Sequence, residues 1–387
     1  MQDQPFSLRL PRSIVFGRGA LAELPRLVRE LEARRVCLVT DPGVRRAGWA
    51  DRVLSLLEGE GLEAVVFDRV EAEPDIRSVD DCAGLTREGG GWVFIGLGGG
   101  SALDVAKGAA IVAGHGGSIF DYLGVEAVPG PTAAKILIPT TAGTGSEVTP
   151  FAVFKDKDEA PEKSKKAIQS KFVVAEAALV DPELTLSCPP RVTAVTGMDA
   201  LVHAVESFTS LKAGPLTEEL GLKALELLGR NILRAFGNGA NLEARYNMSL
   251  GSFYAGIGIA NAGSGGVAAL SYPVEGAYKI IHGIGNALFL PHVLEYNSIA
   301  EPGKIDRIAA ALGLESGGGR EAVERIKDLI NHFLEVFGFP RRLRDLGAKR
   351  EDLPALAEDA LTRQRLLANN MRRLEYEDLL AICEMAF

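Results

Sequence analysis

Nothing in this sequence approaches the roughly 20 consecutive apolar residues that a membrane-spanning helix needs. Cysteine is scarce. Cys37, Cys82, Cys188 and Cys383 are scattered with no C-x-x-C pair, so they read as reduced, mostly buried thiols of a cytoplasmic protein rather than a disulfide framework. A basic excess is also missing: the formal charge is −9, which argues against nucleic acid or an anionic membrane as the main partner. Met1 to Gly19 lacks a basic region followed by an apolar stretch, so no secretory signal is expected. Histidine is sparse too, with five in the chain, which makes the position of each one informative.

What is present is ordinary for a globular protein: 47% apolar and 24% charged residues. At 387 residues the chain exceeds one ordinary core, and two domains are expected.

From Arg35 onward short apolar runs alternate with amphipathic stretches. Val36 to Thr40, Ala64 to Phe67, Trp92 to Leu97 and Lys135 to Ile138 read as strands, with a helix over Ile76 to Arg87. Continuous apolar runs closed by turn residues indicate strands buried on both faces, hence a parallel α/β sheet. The third run leads into Gly98-Gly99-Gly100-Ser101 and a helix from Ala102 through Ala113 carrying Asp104 and Lys107. Glycines there admit a ligand close to the backbone, and a helix N-terminus offers N–H groups and positive potential to phosphate. The spacing is not G-x-G-x-x-G, and a tight strand-to-helix turn that binds nothing has the same look. Asp41 closes the first strand, where a carboxylate accepts from a ribose 2′-hydroxyl and repels a 2′-phosphate, favouring NAD over NADP. Asp41-Pro42-Gly43 is equally a good plain turn. Pro139 to Thr149 gathers hydroxyls and glycines suited to pyrophosphate or ribose, and Lys155 to Lys166 reads as a charged, solvated hairpin.

Prolines at Pro189 and Pro190 mark a boundary, and beyond it the pattern is helical: Val192 to Ser210, Glu218 to Phe236, Leu242 to Asn261 and Glu321 to Phe337. Gly317 to Gly319 reads as a surface connector. Within the first helix Asp199 and His203 are four residues apart, which stacks a carboxylate and an imidazole on one face. A divalent metal accepts that pairing, as it does two histidines at the same spacing. Two side chains bonded to neighbouring backbone would satisfy the same decamer.

Gly98 to Lys107, Pro139 to Thr149 and Gly197 to Glu206, followed by Ile281 to Leu288 with Pro291-His292-Val293, resemble the iron-containing (group III) alcohol dehydrogenases. The resemblance extends from about Pro11 to the C-terminus. It implies an α/β NAD(P)-binding domain over residues 1–187 and an all-helical metal and substrate domain over 188–387. This plan is shared with dehydroquinate synthases, with the active site in the cleft between. It further implies interconversion of an alcohol and an aldehyde or ketone, usually with a divalent metal such as iron or zinc, in a homodimer or larger assembly. Gly98, Gly99 and Ser101 would hold the pyrophosphate, with Asp104 a further cofactor-binding residue. Thr140, Thr141, Thr144 and Ser146 would line the phosphates and nicotinamide ribose, Asp41 the adenosine ribose, and Lys165 matches a cofactor-side lysine.

The family's metal is held by an Asp, a His four residues on, and two later histidines. Asp199, His203 and His282 fill three places, and the remaining one falls at Ala268, which has no donor atom. A further family histidine, credited with proton relay, falls at Tyr272, whose hydroxyl can still pass a proton or bond a substrate oxygen. Three protein ligands suffice at catalytic zinc sites, and partial occupancy would then be expected. Glu275 is a substitute only if the helix continues; Pro273 is expected to interrupt it, and Glu275 with Lys279 also makes a favourable i, i+4 pair. His292 reads as structural, and His115 and His332 as surface or packing residues. Rival readings are a maleylacetate reductase-like reductase without metal, which suits Ala268, and a non-catalytic NAD-binding relative. Glycerol dehydrogenases and dehydroquinate synthases share the plan, but the latter need a phosphate clamp of Lys and Arg that the sequence does not display.

Overall fold

A computed structural model describes residues 6–86, 90–160, 164–315 and 317–387. They divide into two compact units: residues 9–188 with 239–249, and residues 6–8, 189–238 and 250–387.

The first unit is built on a six-stranded sheet in the order β1-β9-β6-β4-β2-β3. Its strands are β1 (Ser13–Phe16), β2 (Arg35–Thr40), β3 (Glu63–Phe67), β4 (Trp92–Gly98), β6 (Ala134–Pro139) and β9 (Ala177–Val180). All pairings are parallel, as the unbroken apolar runs predict. Alternate residues feed two cores. Val36 and Leu38 of β2 join Ile95, Ile136 and Leu179 on one face, while Cys37 and Val39 join Phe94 and Leu137 on the other. Helices α1 (Leu24–Glu30), α2 (Pro42–Arg46), α3 (Trp49–Glu58), α4 (Arg77–Gly84) and α5 (Gly100–His115) connect the strands. A small second sheet, in the order β5-β8-β7, holds β5 (Gly124–Val125), β7 (Phe151–Lys155) and β8 (Lys165–Gln169). The charged stretch after Lys155 is indeed a hairpin, with Lys155 opposite Lys165 across an antiparallel pair. Its residues 161–163 lie outside the described residues, as does Arg87, the expected end of α4.

Strand order reverses direction between β2 and β4, because the chain leaves β2 toward β3 and leaves β4 toward β6 and β9. In open α/β sheets ligands settle beyond the carboxyl ends of strands at such a switch point. Asp41 and Gly98 stand there.

The second unit is helical: α6 (Pro190–Thr209), α7 (Pro215–Gly237), α8 (Leu242–Ala262, entering from residue 250), α9 (Gly266–Tyr278) and α10 (His282–Asn297). It continues with α11 (Pro302–Ala311), α12 (Gly319–Phe337), α13 (Leu353–Thr362), α14 (Gln364–Leu367) and α15 (Tyr376–Ala386). Pro273 does not interrupt α9 as expected. It sits inside the helix, which runs on to Tyr278 and ends at Lys279 in a left-handed conformation, φ 53°. Among the described residues no helix is long and apolar enough to cross a membrane.

Candidate active site

On α6, Asp199 and His203 stack as their spacing predicts, with His203 Nε2 3.7 Å from Asp199 Oδ1. Asp199 is buried, and the His203 side chain is 13% exposed. His282 arrives at the first turn of α10, its Nε2 3.8 Å from the same Asp199 oxygen. The approach depends on Gly283: a Cβ there would collide with the Val195 carbonyl on α6. One donor atom from each of Asp199, His203 and His282 lies within 4.8 Å of the others. No other such trio of His, Cys, Asp or Glu occurs among the described residues.

The donor set suits a divalent metal. A carboxylate with two imidazoles matches the ligand preferences of zinc and ferrous iron. Burial lowers the pKa of His203, against the pull of Asp199 and with help from neighbouring His282, so the imidazole is held in its neutral, ligating form. His203 Nδ1 is buried without a hydrogen-bond partner. Asn286, one turn along α10 from His282, donates from Nδ2 to Asp199 Oδ1 at 2.9 Å and lies 3.0 Å from His282 Nε2. Sequence reasoning passed over it; its i, i+4 relation to His282 was the available signal.

Ala268 is buried on α9, and its N–H points to Glu206 Oε1 at 3.4 Å. Tyr272 lays its ring on His282, centroids 5.1 Å apart and planes 13° from parallel, with the Arg363 guanidinium 5.2 Å from the same ring. Glu275 does not turn toward Lys279 as the i, i+4 pairing anticipated. Its carboxylate is buried against His282 Nδ1 and the Ser271 hydroxyl, on the side of the ring away from Asp199. His292 is half enclosed on α10, and burial pushes its pKa down to about 4, in keeping with a structural role.

In the α/β unit, β4 ends at Gly98, and Gly99 is the extended N-cap of α5. A Cβ on Gly98 would lie 2.7 Å from Ala102 Cβ and 3.1 Å from Asp41 Oδ2, so glycine is what lets the turn and the Asp41 carboxylate share this corner. Asp41 Oδ1 caps α2, accepting from Gly43 N at 2.7 Å and Val44 N at 3.0 Å. The first N–H groups of α5 have no partner within the helix, which is the usual setting for a phosphate. Ser101, Thr141 and Thr144 are partly exposed around the turn; a Cβ on Gly99 would meet Thr141, and one on Gly100 would meet Thr144. Thr140 is buried, its N–H bonded to the Gly98 carbonyl at 2.9 Å.

Behind this surface runs a buried polar network. Asp104 accepts from Ser146 Oγ at 2.6 Å and from Val153 N at 2.9 Å. Lys107, fully buried, donates to Ser146 Oγ at 2.7 Å, Thr149 Oγ1 at 3.1 Å and the Phe151 carbonyl at 2.6 Å. Burial lowers the Lys107 pKa to about 8 and raises that of Asp104, each offset by the other's charge. Asp104 thus faces inward and braces the threonine loop. Lys165 lies on β8 in the small sheet.

Residues 11–182 match the family described as iron-containing alcohol dehydrogenase, and residues 193–387 match its C-terminal counterpart. The chain is 40% identical to long-chain-alcohol dehydrogenase 1 of Geobacillus thermodenitrificans over 376 residues, covering 96% of this chain and 94% of that one. It is similar to a crystal structure of 1,3-propanediol oxidoreductase, with a TM-score of 0.93 and 35% identity, covering 99% of this chain and 100% of the other. Sulfoacetaldehyde reductase from Bifidobacterium kashiwanohense, in complex with NAD+, is similar at a TM-score of 0.88 and 29% identity, covering 99% of both chains. With its parallel sheet, helical unit and Asp199–His203–His282 metal site, the chain belongs to the iron-containing alcohol dehydrogenase family: it is an NAD(P)-dependent oxidoreductase that acts on alcohols and aldehydes with the aid of a metal.

Proposed function

We propose that this enzyme prefers NAD over NADP and works with three protein ligands, Asp199, His203 and His282, where its relatives' pattern has four. The observation that carries the reading is the meeting of those three donors around one point, with a methyl group at Ala268 where another imidazole is expected. Bound here, a divalent metal supplies Lewis-acid polarisation of the substrate oxygen, and NAD supplies the hydride acceptor or donor.

The protein's own residues do the positioning. Asp199 brings the negative charge of the trio, and Asn286 fixes its Oδ1. Tyr272, stacked on His282, is the group we assign to bonding the substrate oxygen or passing its proton. Gly98, Gly99 and Ser101 are assigned to the pyrophosphate, Thr140, Thr141, Thr144 and Ser146 to the loop that lines it, and Asp41 to the adenosine ribose. The switch point between β2 and β4 supports that assignment, as does the Asp41 carboxylate beside the glycine turn. Asp104 contributes from behind, through Ser146 and Val153, and Lys165 is assigned to the cofactor side. The proposed division at residues 187 and 188, cytoplasmic location and a homodimeric or larger state rest on the resemblance and on sequence composition alone.

Metal analysis of the purified protein, combined with NADH and NADPH oxidation on a panel of aldehydes with and without added iron, zinc or manganese, tests the reading. Metal-dependent turnover with NADH is the expected result. Metal-independent reduction would favour the maleylacetate reductase-like alternative, which Ala268 supports. NADH binding without turnover on any carbonyl would favour a non-catalytic relative.

A further inference from the structure

Glu275 is an expensive residue to keep. It is a carboxylate on the buried part of α9, its side chain 2% exposed, and burying such a charge is unfavourable unless hydrogen bonds offset it. Its Oε1 receives the Ser271 hydroxyl at 2.5 Å and contacts His282 Nδ1. Room for this arrangement comes from α10: a Cβ on Gly285 would overlap Ser271 Oγ and lie 3.5 Å from Glu275 Oε1. Two helices are therefore shaped to seat a carboxylate behind one imidazole.

The hydrogen bonds on the two sides of that ring agree with each other. Nδ1 faces a carboxylate oxygen and must donate. Nε2 lies 3.0 Å from the Asn286 amide nitrogen and must accept. Both fix the same tautomer, with the proton on Nδ1 and Nε2, 3.8 Å from Asp199 Oδ1, left unprotonated.

We propose that Glu275 is a positioning residue for the metal site: it holds His282 in the Nδ1–H tautomer, aims its Nε2, and strengthens it as a donor, offsetting the ligand missing at Ala268. Carboxylate–histidine–metal arrangements act in this way, by locking ring orientation and raising ligand basicity. A three-ligand site has no spare donor, so it depends more heavily on the quality of each. The inference rests on the metal reading of Asp199, His203 and His282. It departs from the idea of Glu275 as a substitute ligand, since its contact is with the nitrogen turned away from Asp199.

The test is Co2+ titration of the full-length protein, followed by its visible absorption and by chelator competition, for wild type, Glu275→Gln and Glu275→Ala. NAD+ affinity and thermal midpoint are measured on the same samples. Glu275→Ala is expected to weaken Co2+ binding ~10–100-fold with NAD+ affinity unchanged, and Glu275→Gln, which keeps the shape and loses the charge, to fall between. Co2+ affinity and spectrum unchanged in both variants, whatever happens to the midpoint, would reduce Glu275 to a packing role and overturn the proposal. The metal reading is judged separately: it falls if wild type takes up no Co2+, or if Asp199→Ala binds it as wild type does. The 15N resonances of His282 in metal-free wild type then decide on Glu275 without any variant. A proton on Nδ1 supports the positioning role, and a proton on Nε2 overturns it.

Discussion

The Asn286 amide nitrogen sits 2.9 Å from Asp199 Oδ1, tying a carboxylate on α6 to the helix that carries His282. Both residues are buried, and Asn286 Oδ1 finds no partner of its own, so the side chain is held by what its nitrogen does. Replacing it with alanine should free the Asp199 carboxylate to rotate. We expect Asn286→Ala to lose ~10-fold in divalent-metal affinity, measured by chelator competition, with little change in NAD affinity. Unchanged metal affinity would mean that the trio holds itself in place unaided.

Asp199→Ala and His203→Ala remove donors outright. Each should abolish metal retention and turnover while the α/β unit continues to bind NADH, read by nucleotide fluorescence. Full activity in both variants would remove the metal from the mechanism.

Lys107 is the sole cation within salt-bridge reach of Asp104 among the described residues, 3.6 Å away, and it is completely buried. Breaking a buried pair by deleting one partner costs about 3–5 kcal/mol, because a charge is left behind without compensation. Lys107→Met should show a loss of that order in denaturant unfolding, together with weaker NADH binding as Ser146, Thr149 and Phe151 lose their shared donor. An unchanged unfolding midpoint would imply that Asp104 is already neutral in the native protein.

At the glycine turn, a Cβ on Gly100 would lie 2.8 Å from Thr144 Cγ2 and 3.0 Å from its Oγ1. Thr144 has to yield, and with it the loop that Ser146 N anchors to Thr144 Oγ1 at 3.2 Å. Gly100→Ala is therefore expected to weaken NADH while leaving metal content as in wild type. Equal NADH affinity in the variant would argue that the cofactor avoids this turn.

Glu206 provides a pH signature. Its Oε1 receives Val267 N at 2.8 Å, but Oε2 is buried without a partner, and burial pushes its pKa up to about 7. A native pKa above the unfolded value near 4.3 means that the folded state holds the proton more tightly. The stabilisation is complete below the unfolded value and is lost as pH rises through about 7. Glu206→Gln keeps the acceptor for Val267 and offers an N–H toward the cavity it shares with Asn369, whose Oδ1 is also unpaired. The variant should gain up to ~3 kcal/mol over wild type at pH 8 and little at pH 4. Parallel stability–pH curves for the two proteins would refute the assignment.

Much of this was legible in the chain itself. The sheet announced itself because strands buried on both faces leave unbroken apolar runs, and Asp199 with His203 did so because a helix turns spacing into proximity. What escaped depends on contacts between distant segments. Asn286 is 87 positions from Asp199, and no local pattern reports that meeting. Pro273 was expected to end a helix, yet α9 continues through it. That continuation carries Glu275 to His282 rather than to Lys279. Asp104 looked like a cofactor residue because it follows the glycines, while its oxygens are taken by Ser146 and Val153 in the neighbouring loop and strand.

The carboxylate of Asp41 has two occupations. One oxygen closes the start of α2, and the other borders the corner beside Gly98. Any change of coenzyme preference made at this position therefore also edits a helix end, where loss of a cap costs about 1 kcal/mol. Serine or asparagine would remove the charge and keep an acceptor for Gly43 and Val44, whereas alanine or valine would sacrifice both. The routes by which this lineage could drift toward a phosphorylated ribose are thus few, and they are set by a turn of five residues rather than by the nucleotide.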